Sequence, residues 1–225
     1  MMESANLQHQ NDVAEKDDVA ARIAQRTLAR RGADYASEVR RLLDAALEVM
    51  RQRGTSSRPR VADIVAAAGL SNDAFYRHFP SKDALVAALL EDGAERLARY
   101  VAHQMSKEPT PEGKVRRWVE SVLAQSRPEI ASASLAVLWN GGSFSDGRAA
   151  GRHPASSLLA PLLHGPFAEL GSTSPERDAL LVAHAALGVL SDHMWARTTA
   201  TPAEAEHIVE FALRAITPRR DEAQA

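Results

Sequence analysis

RVADIVAAAGLSNDAFYRHFPSKDALVAALL, residues 60–90, divides into two short helices joined by a glycine turn and, directly after them, a capped third helix. Val61, Ile64, Val65 and Ala68 recur at spacings of three, one and three, which is one apolar helical face. Gly69 follows where the chain must leave that helix, and glycine takes the left-handed conformation that ends it. Leu70 plugs the turn, and Ser71 stands at the N-cap of the next helix. Phe75 and Phe79, one turn apart, face inward. Asn72, Asp73, Tyr76 and Arg77 are left on the other side, toward solvent or a partner. A helix, a tight turn and a polar-faced second helix are the layout of helix-turn-helix DNA readers.

The flanking sequence supplies the core for such a unit. Asp34 to Arg53 reads as a long amphipathic helix with Val39, Leu43, Ala46, Leu47 and Met50 on one side and Gly54 to stop it. Upstream, residues 1 to about 17 read as disordered, and Val19 to Arg31 as an extension helix stacking Arg22, Arg26 and Arg30 on one face. That face suits a basic arm reaching DNA, and equally a solvated helix. Downstream, Ser81 caps a helix running to about Met105, roughly 36 Å at 1.5 Å per residue. Proline at a first helical position then marks five further starts: Thr110-Pro111, Arg127-Pro128, His153-Pro154, Ser174-Pro175 and Thr201-Pro202. Glu204 completes a capping box at the last. Gly141 to Gly151 is the clearest loop, and no segment alternates as a strand does. The expected fold is all-α, with about nine helices and the extension as a tenth.

Composition narrows the classes of function. Charged residues at 25% and apolar residues at 45% of 225 are those of a soluble globular protein. With no cysteine there are neither disulfides nor cysteine-based zinc sites. The acidic, polar N-terminus does not read as a secretory signal, and the longest apolar run, Ala179 to Leu190, is too short to span a bilayer. A cytoplasmic protein with no membrane partner is expected. The net charge of −2 conceals an asymmetry: residues 22–82 hold twelve basic side chains against six acids. A positive region around the proposed reader is what phosphate binding requires.

Gly69-Leu70-Ser71, followed by Phe75-Tyr76-Arg77-His78-Phe79-Pro80-Ser81-Lys82-Asp83-Ala84-Leu85, resembles the DNA-binding domain of the tetracycline-repressor (TetR) family, over about Ala33 to Leu90. Residues 1–32 are then a disordered or helical basic extension upstream of the family's first helix, and the resemblance implies a three-helix DNA-binding domain over 33–80 and a helical ligand-binding and dimerisation domain over 81–217, with a tail over 218–225. It places Asn72, Asp73 and Ala74 at the start of the reading helix, nearest the bases, with the N-cap Ser71 as a further expected DNA contact. Asn pairs bidentately with adenine, and Asp accepts from cytosine N4. Tyr76, His78 and Lys82 match backbone-contacting positions, Arg77 reaches a base or a phosphate, and Arg58 and Arg60 are expected phosphate contacts. The chain departs from the family pattern at Asp73, where a small residue is common, and at Asn72, often basic. Its operator therefore cannot be transferred from relatives.

The same resemblance implies a homodimer on a palindromic double-stranded DNA operator, acting as a repressor released by a small-molecule effector. Activation, or regulation without a ligand, are the alternatives. Residues 180–195, apolar nearly all round, and 203–216 are the candidate seam. Trp118, Leu138, Trp139, Phe144, Phe167, His184 and Met194 are the candidate effector-binding residues, with core packing as the competing role, and their character suggests an apolar ligand. Enzyme chemistry finds little support. Ser191, Asp192 and His193 are consecutive on a helix and cannot face one another. Ser143 and Ser145 lack a nucleophile-elbow spacing. The histidines show no metal-binding pattern, so neither metal nor cofactor is expected.

Overall fold

The computed structural model describes residues 2–140 and 154–216, and every regular element among them is helical. In order these are α1 (Met2–Arg53), α2 (Val61–Ala68), α3 (Asn72–His78), α4 (Lys82–Met105), α5 (Pro111–Leu123), α6 (Pro128–Asn140), α7 (Pro154–Leu159), α8 (Pro161–Glu169), α9 (Pro175–Ala196) and α10 (Pro202–Ile216). A short 3₁₀ turn, Ala124–Ser126, joins α5 to α6. All five proline-marked starts are helix starts. A sixth, Ala160-Pro161, splits what reads as one helix into α7 and α8, because proline has no N–H with which to continue a helix. Phe144, Ser143, Ser145, the Gly141–Gly151 loop and the 218–225 tail lie outside the described residues.

The helices expected over 19–31 and 34–53, behind a disordered leader, are instead one continuous helix. Gly32 and Asp34 resemble a boundary, but no proline interrupts residues 2–53. A single interior glycine costs only about 1 kcal/mol relative to alanine. Residues 21–37 are exposed on every side, so this part of α1 stands clear of the packed protein.

Two apolar cores divide the rest. The head core joins Leu42, Leu43, Ala46 and Met50 of α1 to Ile64, Val65 and Ala68 of α2, to Phe75 and Phe79, and to Leu85, Val86 and Leu89 of α4. The body core is built on Trp118, Leu159, Leu163, Phe167 and the inner faces of α9 and α10. Trp118 is wholly buried, and its Nε1–H donates to the Leu159 carbonyl at 3.0 Å. Two helices belong to both cores. α4 gives Leu85 and Leu89 to the head and Ala94, Val101 and Met105 to the body. α6 gives Ala136 and Val137 to the head and Ala131 and Leu135 to the body. By length and composition α9 is apolar enough to cross a membrane, but its Ala179, Val182, Ala183, Ala186, Leu187, Leu190 and Met194 are packed in the body core.

Candidate nucleic-acid interface

Local signals fix the reader. Gly69 has φ +63°, its N–H bonds the Ala66 carbonyl at 3.2 Å and the Leu70 N–H bonds Val65 at 2.9 Å, closing α2 in a Schellman-type turn. Ser71 Oγ accepts the Ala74 N–H at 3.1 Å and so caps α3. Ser81 does the same for α4 through Ala84. The chain thus turns sharply twice within about a dozen residues, and its orphan helix-end groups have partners.

Long-range polar contacts complete the frame, and these the sequence did not disclose. Arg41 Nη2 donates to the Ala68 carbonyl at 2.6 Å and to that of Gly69 at 3.0 Å. A guanidinium there satisfies the free carbonyls of α2 and complements the negative end of its dipole. Glu38 accepts from His78 Nε2 at 2.7 Å and from Arg77 at 3.3 Å, joining α1 to the end of α3. The His78 hydrogen bond, assisted by the charge of Arg77, holds the Glu38 carboxyl below the usual carboxylate range. Tyr35 meets the His78 ring edge-on with centroids 4.2 Å apart.

The sequence-derived contacts separate into two groups. Asn72, Asp73, Tyr76 and Arg77 share the outer face of α3, with Tyr76 58% exposed. Ser71 is exposed at its start, and Arg58 and Arg60 are exposed just before α2. Lys82 is half-buried at the start of α4, with Nζ 3.4 Å from the Pro59 carbonyl. Ala74 and His78 stand apart from these. Ala74 is only 4% exposed, because α3 turns it inward beside Phe75. The His78 side chain has no exposure and bonds Glu38, so it braces α3 and does not face a phosphate.

The positive region is less uniform than a residue count implies. Arg40 pairs with Asp92 at 3.2 Å, Arg51 with Glu48 at 2.8 Å and Arg53 with Asp63 at 3.0 Å. Exposed pairs of this kind are weak, but they draw charge toward the sides of the head. Arg77 lies on α3 itself, Arg58 and Arg60 precede α2, and Lys82 opens α4.

The candidate effector residues do not converge. Trp118 and Phe167 are fully buried core, Leu138 is half-buried, and Trp139 is exposed. His184 is exposed on the outer side of α9, because a helix apolar on nearly every side gives no sequence cue to which side faces out. Of the group, Met194 lines an open cleft between head and body. Ser191, Asp192 and His193 form no triad: His193 bonds Thr198 at 2.7 Å and Glu204 at 3.1 Å. Among the described residues no cluster of three metal-ligating side chains occurs.

Residues 42–89 match the family described as bacterial regulatory proteins, tetR family. The fold is similar to that of a protein described as a TetR-family transcriptional regulator from Mesorhizobium loti, with a TM-score of 0.59 at 16% identity over 81% of this chain and 96% of that one. It is also similar to a transcriptional regulator from Pseudomonas aeruginosa, with a TM-score of 0.57 at 22% identity over 79% and 88%. RolR in complex with resorcinol gives 0.58 at 17% identity over 84% and 91%. No curated protein matches the chain in sequence.

Proposed function

We propose that this chain, whose residues 42–89 carry a tetR-family DNA-binding domain, is a homodimeric transcriptional repressor that leaves a palindromic operator when a small molecule binds. The exposed face of α3 carries the reading. Asn72, Asp73, Tyr76 and Arg77 point outward from a helix capped at its start, anchored by Phe75 and braced by Glu38. In the major groove Asn72 and Asp73 meet base edges, while Tyr76, Lys82, Arg58 and Arg60 hold phosphates. Asn72 favours adenine, and Asp73 rejects bases that present an acceptor to it.

Support for the dimer comes from α9 and α10. Leu180, Leu181, His184, Ala185, Gly188, Asp192 and Trp195 form one exposed face of α9, and Phe211 is half exposed on α10. Large apolar groups interleaved with small ones suit a two-fold four-helix seam. A ligand-responsive repressor fits the complex of RolR, a protein of similar fold, with resorcinol. A ligand that shifts the distance between two reading heads changes operator affinity by its differential binding to the two states.

The test is a titration of the full-length protein on the DNA upstream of its own coding sequence, at several salt concentrations. Tyr76→Phe and Lys82→Ala weaken binding to every sequence alike, and Lys82→Ala lowers the salt slope by about one. Asn72→Ala alters which bases are tolerated. Salt-insensitive binding, or an Asn72 variant with unaltered preference, contradicts the assignment.

A further inference from the structure

The cleft between head and body has a composition that distinguishes it from both cores. It holds about 370 Å³, at the small end of ligand pockets, which span roughly 300–1,000 Å³. Arg53 and Thr55, at the end of α1 and in its turn, supply the head side. Ala131 and Leu135 of α6 with Met194 of α9 form an apolar floor, and Arg197 closes the body side. No carboxylate lines it. Of the acids nearby, Asp63 pairs with Arg53 from outside the lining and accepts the Arg60 N–H at 2.8 Å, and Glu204 binds His193 and the Thr201 N–H; among the described residues Arg197 is the lining arginine with no carboxylate partner.

Arg197 is held in place from both ends. It terminates α9 in the left-handed conformation, φ 55°, which only a few per cent of non-glycine residues adopt. Its Nη2 donates across the cleft to Thr55 Oγ1 at 3.1 Å, the polar tie between the end of α9 and the head. An arginine fork with no acid partner, over an apolar floor with no acid in the lining, recognises a carboxylate that carries a hydrophobic body.

We propose that this cleft is a binding site for a small aromatic monocarboxylate. The carboxylate takes the Arg197 guanidinium, on the side facing the Asp63-paired Arg53, and the ring lies on Ala131, Leu135 and Met194. This adds an anionic head to the apolar effector that the sequence suggests and sets the ligand at the head–body junction. Its bearing on DNA rests on the regulator reading above; the binding site itself does not. Because α6 contributes to the cleft floor and also to the head core through Ala136 and Val137, a ligand seated there biases the position of the head.

The experiment is calorimetric titration of the full-length protein with benzoate, salicylate and phenylacetate, each paired with its neutral amide. At least one carboxylate binds saturably at one site per chain, and its amide binds at least about tenfold more weakly. Arg197→Gln lowers that affinity by about tenfold or more, and Ser132→Trp, placed on the exposed wall of the cleft, abolishes it; circular dichroism checks that both variants are folded. No saturable binding by any of the carboxylates, amides that bind equally well, or carboxylate binding indifferent to both substitutions overturns the site. The titration contains no DNA. A protein that binds the carboxylate but no operator therefore refutes the regulator reading and leaves the site standing.

Discussion

Gly69→Ala is the most informative single change in the head, because the structure gives its cost in two parts. Gly69 sits at φ +63°, where a residue with a Cβ is disfavoured by roughly 1–2 kcal/mol. The new methyl would also lie 3.1 Å from Arg41 Nη2, closer than ordinary contact. Arg41 must then loosen its hold on the Ala68 and Gly69 carbonyls, a partly exposed contact worth roughly 0.5–1.5 kcal/mol. The sum is about 1.5–3.5 kcal/mol, or about 3–14 °C in Tm for a chain of this size. Gly93→Ala is the control: it lies inside α4 with nothing within 4 Å of an added Cβ, and alanine there stabilises by up to about 1 kcal/mol. Urea unfolding followed by circular dichroism reads both. A Gly69 variant as stable as the parent, or a Gly93 variant the more damaged of the two, refutes the reasoning.

Three further outcomes are expected. Trp118→Phe leaves the Leu159 carbonyl without its partner and opens space in the body core, so unfolding free energy falls by about 2–4 kcal/mol; a loss within error in urea titration contradicts that packing. The Glu38 carboxyl is held below its ordinary 4.5 first by the His78 hydrogen bond and then by Arg77. Its stabilisation is therefore complete above that value and is lost as pH falls through the lower folded-state pKa. The urea midpoints of the parent and Glu38→Gln should differ by a constant amount at neutral pH and converge only in acid; convergence near pH 6 breaks the account. Leu181→Glu puts a charge on an apolar side chain that is 62% exposed in the single chain. Sedimentation should show the dimer dissociating while each chain stays folded, and an undisturbed dimer moves the seam elsewhere.

What could be read from the sequence was local. Gly54, Gly69, Ser71, Ser81 and the proline starts act through their own backbone or through a neighbour three or four residues away, so each is visible in the order of residues. Short polar signals misled in two places. Gly32 and Asp34 suggest a boundary that α1 runs through, since one weak helix former does not outweigh helical sequence on both sides. His78 looks available because its partner, Glu38, is forty residues away on another helix. Arg41 is one arginine among many until α2 brings its C-terminus to it. The α3 face was therefore legible, whereas its bracing and the head–body cleft depend on packing among segments distant in the chain. His184 shows the same limit: a helix apolar on nearly all sides does not declare its outer face.

The most direct test of the central claim, that α3 reads operator DNA as half of a two-fold pair, is a hydroxyl-radical footprint of the full-length protein on the DNA upstream of its own coding sequence. The expected result is two protected stretches of sugar-phosphate backbone related by a dyad, with protection weakened throughout by Tyr76→Phe. Protection with no dyad symmetry, or a Tyr76 variant whose footprint matches that of the parent, would contradict it.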